Sequence, residues 1–339
     1  MTVGVGIGIG VIGLGTMGRI HATNLVASIS GAQLVGVADP EVNRLNAEVG
    51  AFFGCPQFSD YHELLETPGL DAVVIASSST THYGILQDVL GCKKAVLCEK
   101  PLAPSLQESV GVHEAFHRAG VPLQLGFMRR FDPAYVRAFE AIQAGVIGTV
   151  YHYSGISRDQ FAPPVAVAQY SGGFFADTGV HEFDLARWLM GQEIIEVFAR
   201  GGVFVSDAYR DLGDVDQAHV SFGMDAGGLG LIELTRNAMY GYDIRTEILG
   251  SRGAIRIGVQ PETGMTRLTE TGVTGDHVLS YRDRFREAYR EELQAFVRCL
   301  HQGVPVLVNS LDGIRAVAVA EAAKQSLAEG RSVEVTYDA

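Results

Sequence analysis

Over the first third of the chain, short apolar runs alternate with helical spacings. Residues 5–12 read as a strand, and 17–27 as the helix that follows it. Strands are predicted at 33–38, 71–76, 95–98 and 121–126, with helices at 60–66, 81–90 and 105–118 between them. These strands are apolar nearly throughout rather than at every second position. That pattern predicts a parallel sheet covered by helices on both faces, a doubly wound α/β domain.

Beyond Gly126 the pattern changes. Strands are predicted at 150–157, 195–204, 217–222, 229–235, 245–249 and 254–257, with a tight break at Gly250–Gly253 before the last. Two helices follow, at 285–300 and 311–328. Runs of strands with few helices between them predict an α+β domain around an open, mostly antiparallel sheet. The boundary falls near 126–129, giving a first domain at 1–126 and a second at 127–339.

Length and composition fit this division. A chain of 339 residues, 47% hydrophobic, can fill two cores. The formal net charge of −13 argues against nucleic acid and anionic membrane surfaces as partners. Cys55, Cys92, Cys98 and Cys299 form no CxxC pair and have no metal-ligand spacing with histidine, so reduced thiols in a cytoplasmic protein are expected. Residues 1–18 carry no charged side chain, but they lack a basic leader and are dense in glycine. They predict a buried strand and its turn rather than a signal peptide or a membrane span.

Two G-x-G-x-x-G matches overlap, Gly8-Gly10-Gly13 and Gly13-Gly15-Gly18. A dinucleotide loop must follow a strand and open a helix, so that helix N-terminal amides face the pyrophosphate. Only the second match leaves room for a strand before it. Gly13 then makes the turn, Gly15 admits the phosphates, Gly18 packs helix on sheet, and Thr16 and Met17 lie in the loop's first turn. Asp39 ends the next strand, 21 residues after Gly18. A carboxylate there suits the ribose hydroxyls of NAD and repels the extra phosphate of NADP, although nearby Arg44 offers that phosphate a partner.

Two clusters offer catalytic groups. Glu99-Lys100-Pro101 follows strand 95–98, at the carboxyl end where ligands bind in open α/β sheets; the alternative is an ordinary surface loop. Asp177, His181 and Asp184 are spaced i, i+4, i+7, and share one face if the segment is helical, opposite Phe183, Leu185, Trp188 and Leu189. His181 suits a general base, and Asp177 suits a group that orients it or binds a neighbouring hydroxyl; the alternative is a histidine satisfied inside the core. No cysteine or second histidine is placed for zinc, and no metal is expected.

GLGTMG, Asp39, CEKP, GFMRRFDP and DTGVHEFD, in this order, resemble the glucose–fructose oxidoreductase/inositol dehydrogenase/rhizopine-catabolism superfamily. GFMRRFDPAYVRAFEAI, DTGVHEFD and the later Tyr240-Gly241-Tyr242-Asp243-Ile244 are most similar to its inositol 2-dehydrogenase group. The resemblance implies a Rossmann domain for NAD, a second domain for substrate and oligomerisation, and oxidation of a ring hydroxyl of myo- or scyllo-inositol. It maps the catalytic lysine to Lys100, followed by a cis proline, and the acid–base pair to Asp177 and His181. It maps substrate contacts to Met128, Arg129 and Tyr240, and cofactor contacts to Ser77, Ser78, His82 and Glu99. A homotetramer formed through the exposed face of the second sheet is also implied.

The chain departs from the inositol pattern at Ser157-Arg158, where that group often has a histidine before the arginine. The departure keeps an aldose, amino-polyol or deoxy-sugar dehydrogenase open. A catalytically silent NAD- or sugar-sensing regulator is the alternative from another class.

Overall fold

In the computed structural model, residues 6–41 and 54–337 are described. The chain forms two compact units.

The first unit holds a parallel sheet of β1 (Ile7–Ile12), β2 (Ala32–Ala38), β3 (Gln57–Phe58), β4 (Ala72–Ile75), β5 (Ala95–Glu99) and β6 (Leu123–Gly126). Its order is β3-β2-β1-β4-β5-β6. The order reverses beside β1, between β2 and β4, and that switch point is where a doubly wound sheet opens a crevice for a ligand. The continuous apolar runs have their expected cause: β4 and β5 are buried along their whole length, with helices on their faces.

Ala288–Ile314 also belongs to this unit, although the sequence division at 126 places it with the second domain. Leu293, Phe296 and Val297 share one face of helix Arg286–Gln302, at i, i+3 and i+4. They pack with Ile9, Val11, Leu25 and Leu97 in one buried cluster. Sequence distance hides this contact, because the hydrophobic stripe of a helix does not specify which sheet it will cover.

The second unit is built on β7 (Val150–Arg158), β8 (Ile194–Gly202), β9 (Gln217–Met224), β10 (Leu229–Thr235), β11 (Asp243–Gly250) and β12 (Gly253–Ile257). A small hairpin, β13 (Thr266–Thr269) with β14 (Gly272–Gly275), and the edge strand β15 (Val333–Glu334) complete its strands. The main sheet runs β12-β11-β7-β10-β9-β8-β15. Among the described residues only β7 and β10 of this sheet pair in parallel, so the sheet is mixed and mostly antiparallel. Burial alternates along β9 and β10, which leaves one face covered and one open.

Helix Val180–Met190 lies on the covered face, where Tyr153 donates to Glu182 at 2.8 Å. Gly155 permits this approach, since a Cβ there would stand 2.4 Å from Glu182 Oε2. Helix Pro133–Gln143, absent from the sequence reading, starts where Asp132 accepts the Ala134 and Tyr135 amides and Pro133 occupies the first turn. Among the described residues, no helix is long and apolar enough to cross a membrane.

Candidate functional site

The glycine loop sits where the second motif match requires. Gly8 and Gly10 lie inside β1, the turn begins at Gly13, and helix Thr16–Ala27 opens directly after Gly15. Gly13 has φ +90°, and a Cβ on it would lie 2.5 Å from the Ser77 backbone nitrogen. A Cβ on Gly18 would lie 1.8 Å from the Gly13 carbonyl oxygen. Gly15 differs: among the described residues a Cβ there meets nothing within 4 Å. Two glycines are therefore required by packing, and the third meets no described atom. As N-cap, Gly15 has no side chain to take up the first-turn amides at Thr16 and Met17, and those amides suit an anion.

Gly13, Gly15, Asp39, Ser77 and Ser78 line one groove of about 1000 Å³ in the first unit. Asp39 accepts the Leu14 amide at 2.7 Å on one oxygen and the Glu41 amide at 2.8 Å on the other. It thus ties the end of β2 to the glycine loop while bordering the groove. Each carboxylate oxygen retains a further lone pair for a ribose hydroxyl. Arg44 lies outside the described residues.

Two expected cofactor contacts point elsewhere. His82 is buried, with Nδ1 2.7 Å from the Pro101 carbonyl oxygen and Nε2 3.3 Å from that of Ser77. Burial holds its pKa below the ordinary histidine value. Its side chain pins the serine loop to the Lys100-Pro101 loop from inside. Glu99 is likewise turned inward, its Oε1 2.8 Å from His21 Nε2. Glu292 completes this interior cluster: the ligand atoms of His21, Glu99 and Glu292 lie within 4.8 Å of one another. Glu292 is fully buried, neither of its carboxyl oxygens has a hydrogen-bond partner among the described residues, and burial followed by the charge of Glu99 pushes its pKa well up. The sequence carries one signal of it, an acid on the stripe of Tyr289, Leu293 and Phe296.

Lys100 follows β5, half-buried, and the Lys100–Pro101 peptide is cis. Met128 and Arg129 are buried in a short 3-10 turn after β6.

In the second unit, Asp177 lies in a π-helical turn, Phe175–Gly179, that runs directly into helix Val180–Met190 with His181 in its first turn. The wide turn interrupts the 3.6-residue spacing on which a single polar face depends. The expected stripe of polar residues opposite apolar ones is also absent. Glu182, Asp184 and Arg187 are buried alongside Phe183 and Leu185, so this helix is enclosed nearly all round. Arg187 is held by Glu193, and Glu182 by Tyr153. Asp177 keeps 30% side-chain exposure.

Ser157 is fully buried on β7, in register with Ile244 on β11 and Leu234 on β10. The Tyr240 hydroxyl accepts from Arg158 Nη1 at 2.7 Å and donates to Asp243 at 2.6 Å. Burial of the hydroxyl and the Asp243 carboxylate push the Tyr240 pKa up. A residue the sequence reading missed stands behind Asp177: Arg236, fully buried, 3.0 Å from Asp214 and 3.7 Å from Asp177. Nothing in its strand-end sequence, Thr235-Arg236-Asn237, marks it.

A doubly wound sheet with an open glycine loop and a strand-end aspartate defines a dinucleotide-dependent class of protein. The chain belongs to the glucose–fructose oxidoreductase/inositol dehydrogenase/rhizopine-catabolism oxidoreductase family. Residues 7–127 match its NAD-binding Rossmann fold and 140–335 its C-terminal alpha/beta domain. The chain is 40% identical to the scyllo-inositol 2-dehydrogenase (NAD(+)) of Bacillus subtilis, over 96% of this chain and 95% of that one. It is 40% identical to the myo-inositol 2-dehydrogenase of Thermotoga maritima, over 96% and 98%. The scyllo-inositol dehydrogenase of Lactobacillus casei, solved with NAD(H) and scyllo-inositol, superposes with a TM-score of 0.90 at 28% identity, over 97% of this chain and 99% of that one. The protein is an NAD-dependent oxidoreductase.

Proposed function

We propose that the protein oxidises a ring hydroxyl of a cyclic polyol, myo- or scyllo-inositol, to the ketone. The observation that carries this reading is full-length similarity to named inositol 2-dehydrogenases in a chain that retains Lys100, Asp177 and His181. The residues of the first unit fit the cofactor: Gly15 leaves the phosphate approach open and Asp39 borders the same groove. NAD, when bound, supplies the hydride acceptor.

The chain's own groups do the rest. His181 takes the hydroxyl proton as general base. The Lys100 ammonium donates to the substrate oxygen and stabilises negative charge as it develops there. Asp177, paired with His181, fixes the ring's orientation together with Arg129, and Met128 and Tyr240 also contact the ring. On this reading the first unit serves NAD, and the second serves substrate and assembly in a cytoplasmic homotetramer. The open sheet face supports the assembly, since it exposes Leu229 and Leu231.

A second reading rests on Ser157. Where the inositol group often has histidine this chain has a smaller side chain, which favours an aldose, amino-polyol or deoxy-sugar as substrate for the same chemistry.

Lys100→Ala tests the catalytic assignment. Turnover should be lost while NAD still binds, measured by calorimetric titration. Turnover equal to wild type contradicts the role of Lys100, and a wild type that binds NAD yet turns over no polyol or sugar favours a sensor.

A further inference from the structure

The Arg236 guanidinium has no exposed surface and packs over two aromatic rings, 4.7 Å from the centroid of Phe174 and 4.8 Å from that of Tyr209. One arm donates to Asp214 Oδ2 at 3.0 Å. The other arm, Nη2, has no hydrogen-bond partner among the described residues and lies 3.7 Å from Asp177 Oδ2. A buried, unpartnered N–H is costly, so an acceptor just beyond bonding distance is the group that relieves it.

The surrounding charges limit what else Arg236 can serve. Asp214 is fixed by the Phe174 amide at 3.1 Å. Asp216 is occupied by the amides of Phe204, Val205 and Ser206 at 2.9, 2.8 and 3.2 Å. Tyr209 donates its hydroxyl to the Pro163 carbonyl at 2.6 Å, away from the guanidinium. Asp177 is the partner still within reach.

We infer that Arg236 is a positioning residue for the reaction, aiming Asp177 and keeping it a carboxylate, with Asp214 sharing the guanidinium charge. This rests on the reading of Asp177 and His181 as the acid–base pair.

The sign of the effect follows from charge. Removing a buried cation tightens every proton bound nearby, so the acid limb of the oxidation rate moves to higher pH whichever of Asp177 or His181 reports it. Removing a neighbouring carboxylate moves the limb to lower pH.

The test is the pH dependence of kcat/KM for Arg236→Met, Arg236→Lys and Asp214→Asn, with folding checked by circular dichroism and thermal melting. Arg236→Met should raise the limb by about one pH unit and Asp214→Asn should lower it. Arg236→Lys, which keeps the charge, should fall between Arg236→Met and wild type. Affinity for NAD should not change. A purely structural role would lower activity without moving the limb. If Arg236→Met does not fold, the downward shift in Asp214→Asn still decides.

Limbs unmoved in the folded variants overturn the inference. Asp177→Asn separates this failure from that of the parent reading. Full turnover in Asp177→Asn removes both, whereas lost turnover in Asp177→Asn with unmoved limbs removes the positioning role alone.

Discussion

Asp39 accepts the Leu14 amide at 2.7 Å, so the end of the second strand holds the glycine loop that follows the first. One carboxylate therefore shapes the loop and faces the groove. Asp39→Ala should raise the Kd for NAD roughly tenfold or more, the loss of charge-assisted hydrogen bonds of about 1.5–3 kcal/mol. The penalty against NADP should shrink at the same time. Titration of both nucleotides into the variant checks this, and an unchanged ratio of the two affinities would count against Asp39 as the ribose partner.

The three glycines of the loop should respond differently to alanine. Gly15→Ala meets no atom of the described residues within 4 Å, so stability should stay within about 1 kcal/mol of wild type while NAD affinity falls. Gly18→Ala drives a Cβ to 1.8 Å from a backbone oxygen and should cost more than about 2 kcal/mol in urea unfolding. Equal losses of stability in the two variants would contradict the assignment of Gly15 to phosphate approach.

Glu292 predicts a pH dependence of folding. Burial first, then the charge of Glu99, raises its folded pKa, so the folded protein holds a proton that the unfolded chain releases near pH 4.3. The stability associated with that proton is complete below this value and is lost as pH rises through the raised folded pKa. Glu292→Gln keeps the shape without the titration. Its advantage over wild type should therefore grow from weakly acidic to alkaline pH, by up to about 1.4 kcal/mol per unit. Urea unfolding at several pH values measures the difference, and a constant offset would show that Glu292 does not hold the proton.

The parts of this molecule legible in the sequence are those set by local pattern. The glycine loop had to follow a strand, which selected Gly13-Gly15-Gly18 and rejected the match that lies inside β1. The buried strands β4 and β5 announced themselves as unbroken apolar runs. What stayed hidden depends on partners distant in the chain. The inward turn of Glu99 requires His21 and Glu292, which lie on two helices far apart in sequence. The charges of helix Val180–Met190 have the spacing of a solvated face, and only the distant Tyr153 and nearby Glu193 bury and hold them. The π-helical turn at Asp177 has no compositional mark, and helix Pro133–Gln143 was missed although Asp132-Pro133 is a sound start signal.

The most direct test of the central claim is NADH formation, followed by absorbance, with purified protein, NAD, and myo-, scyllo- and chiro-inositol beside common aldoses. Strong activity on myo- or scyllo-inositol, well above every aldose, is the predicted result. NADH formed from an aldose alone would contradict the inositol assignment and make Ser157 the position to examine, and no NADH from any polyol or sugar would contradict the proposed reaction itself.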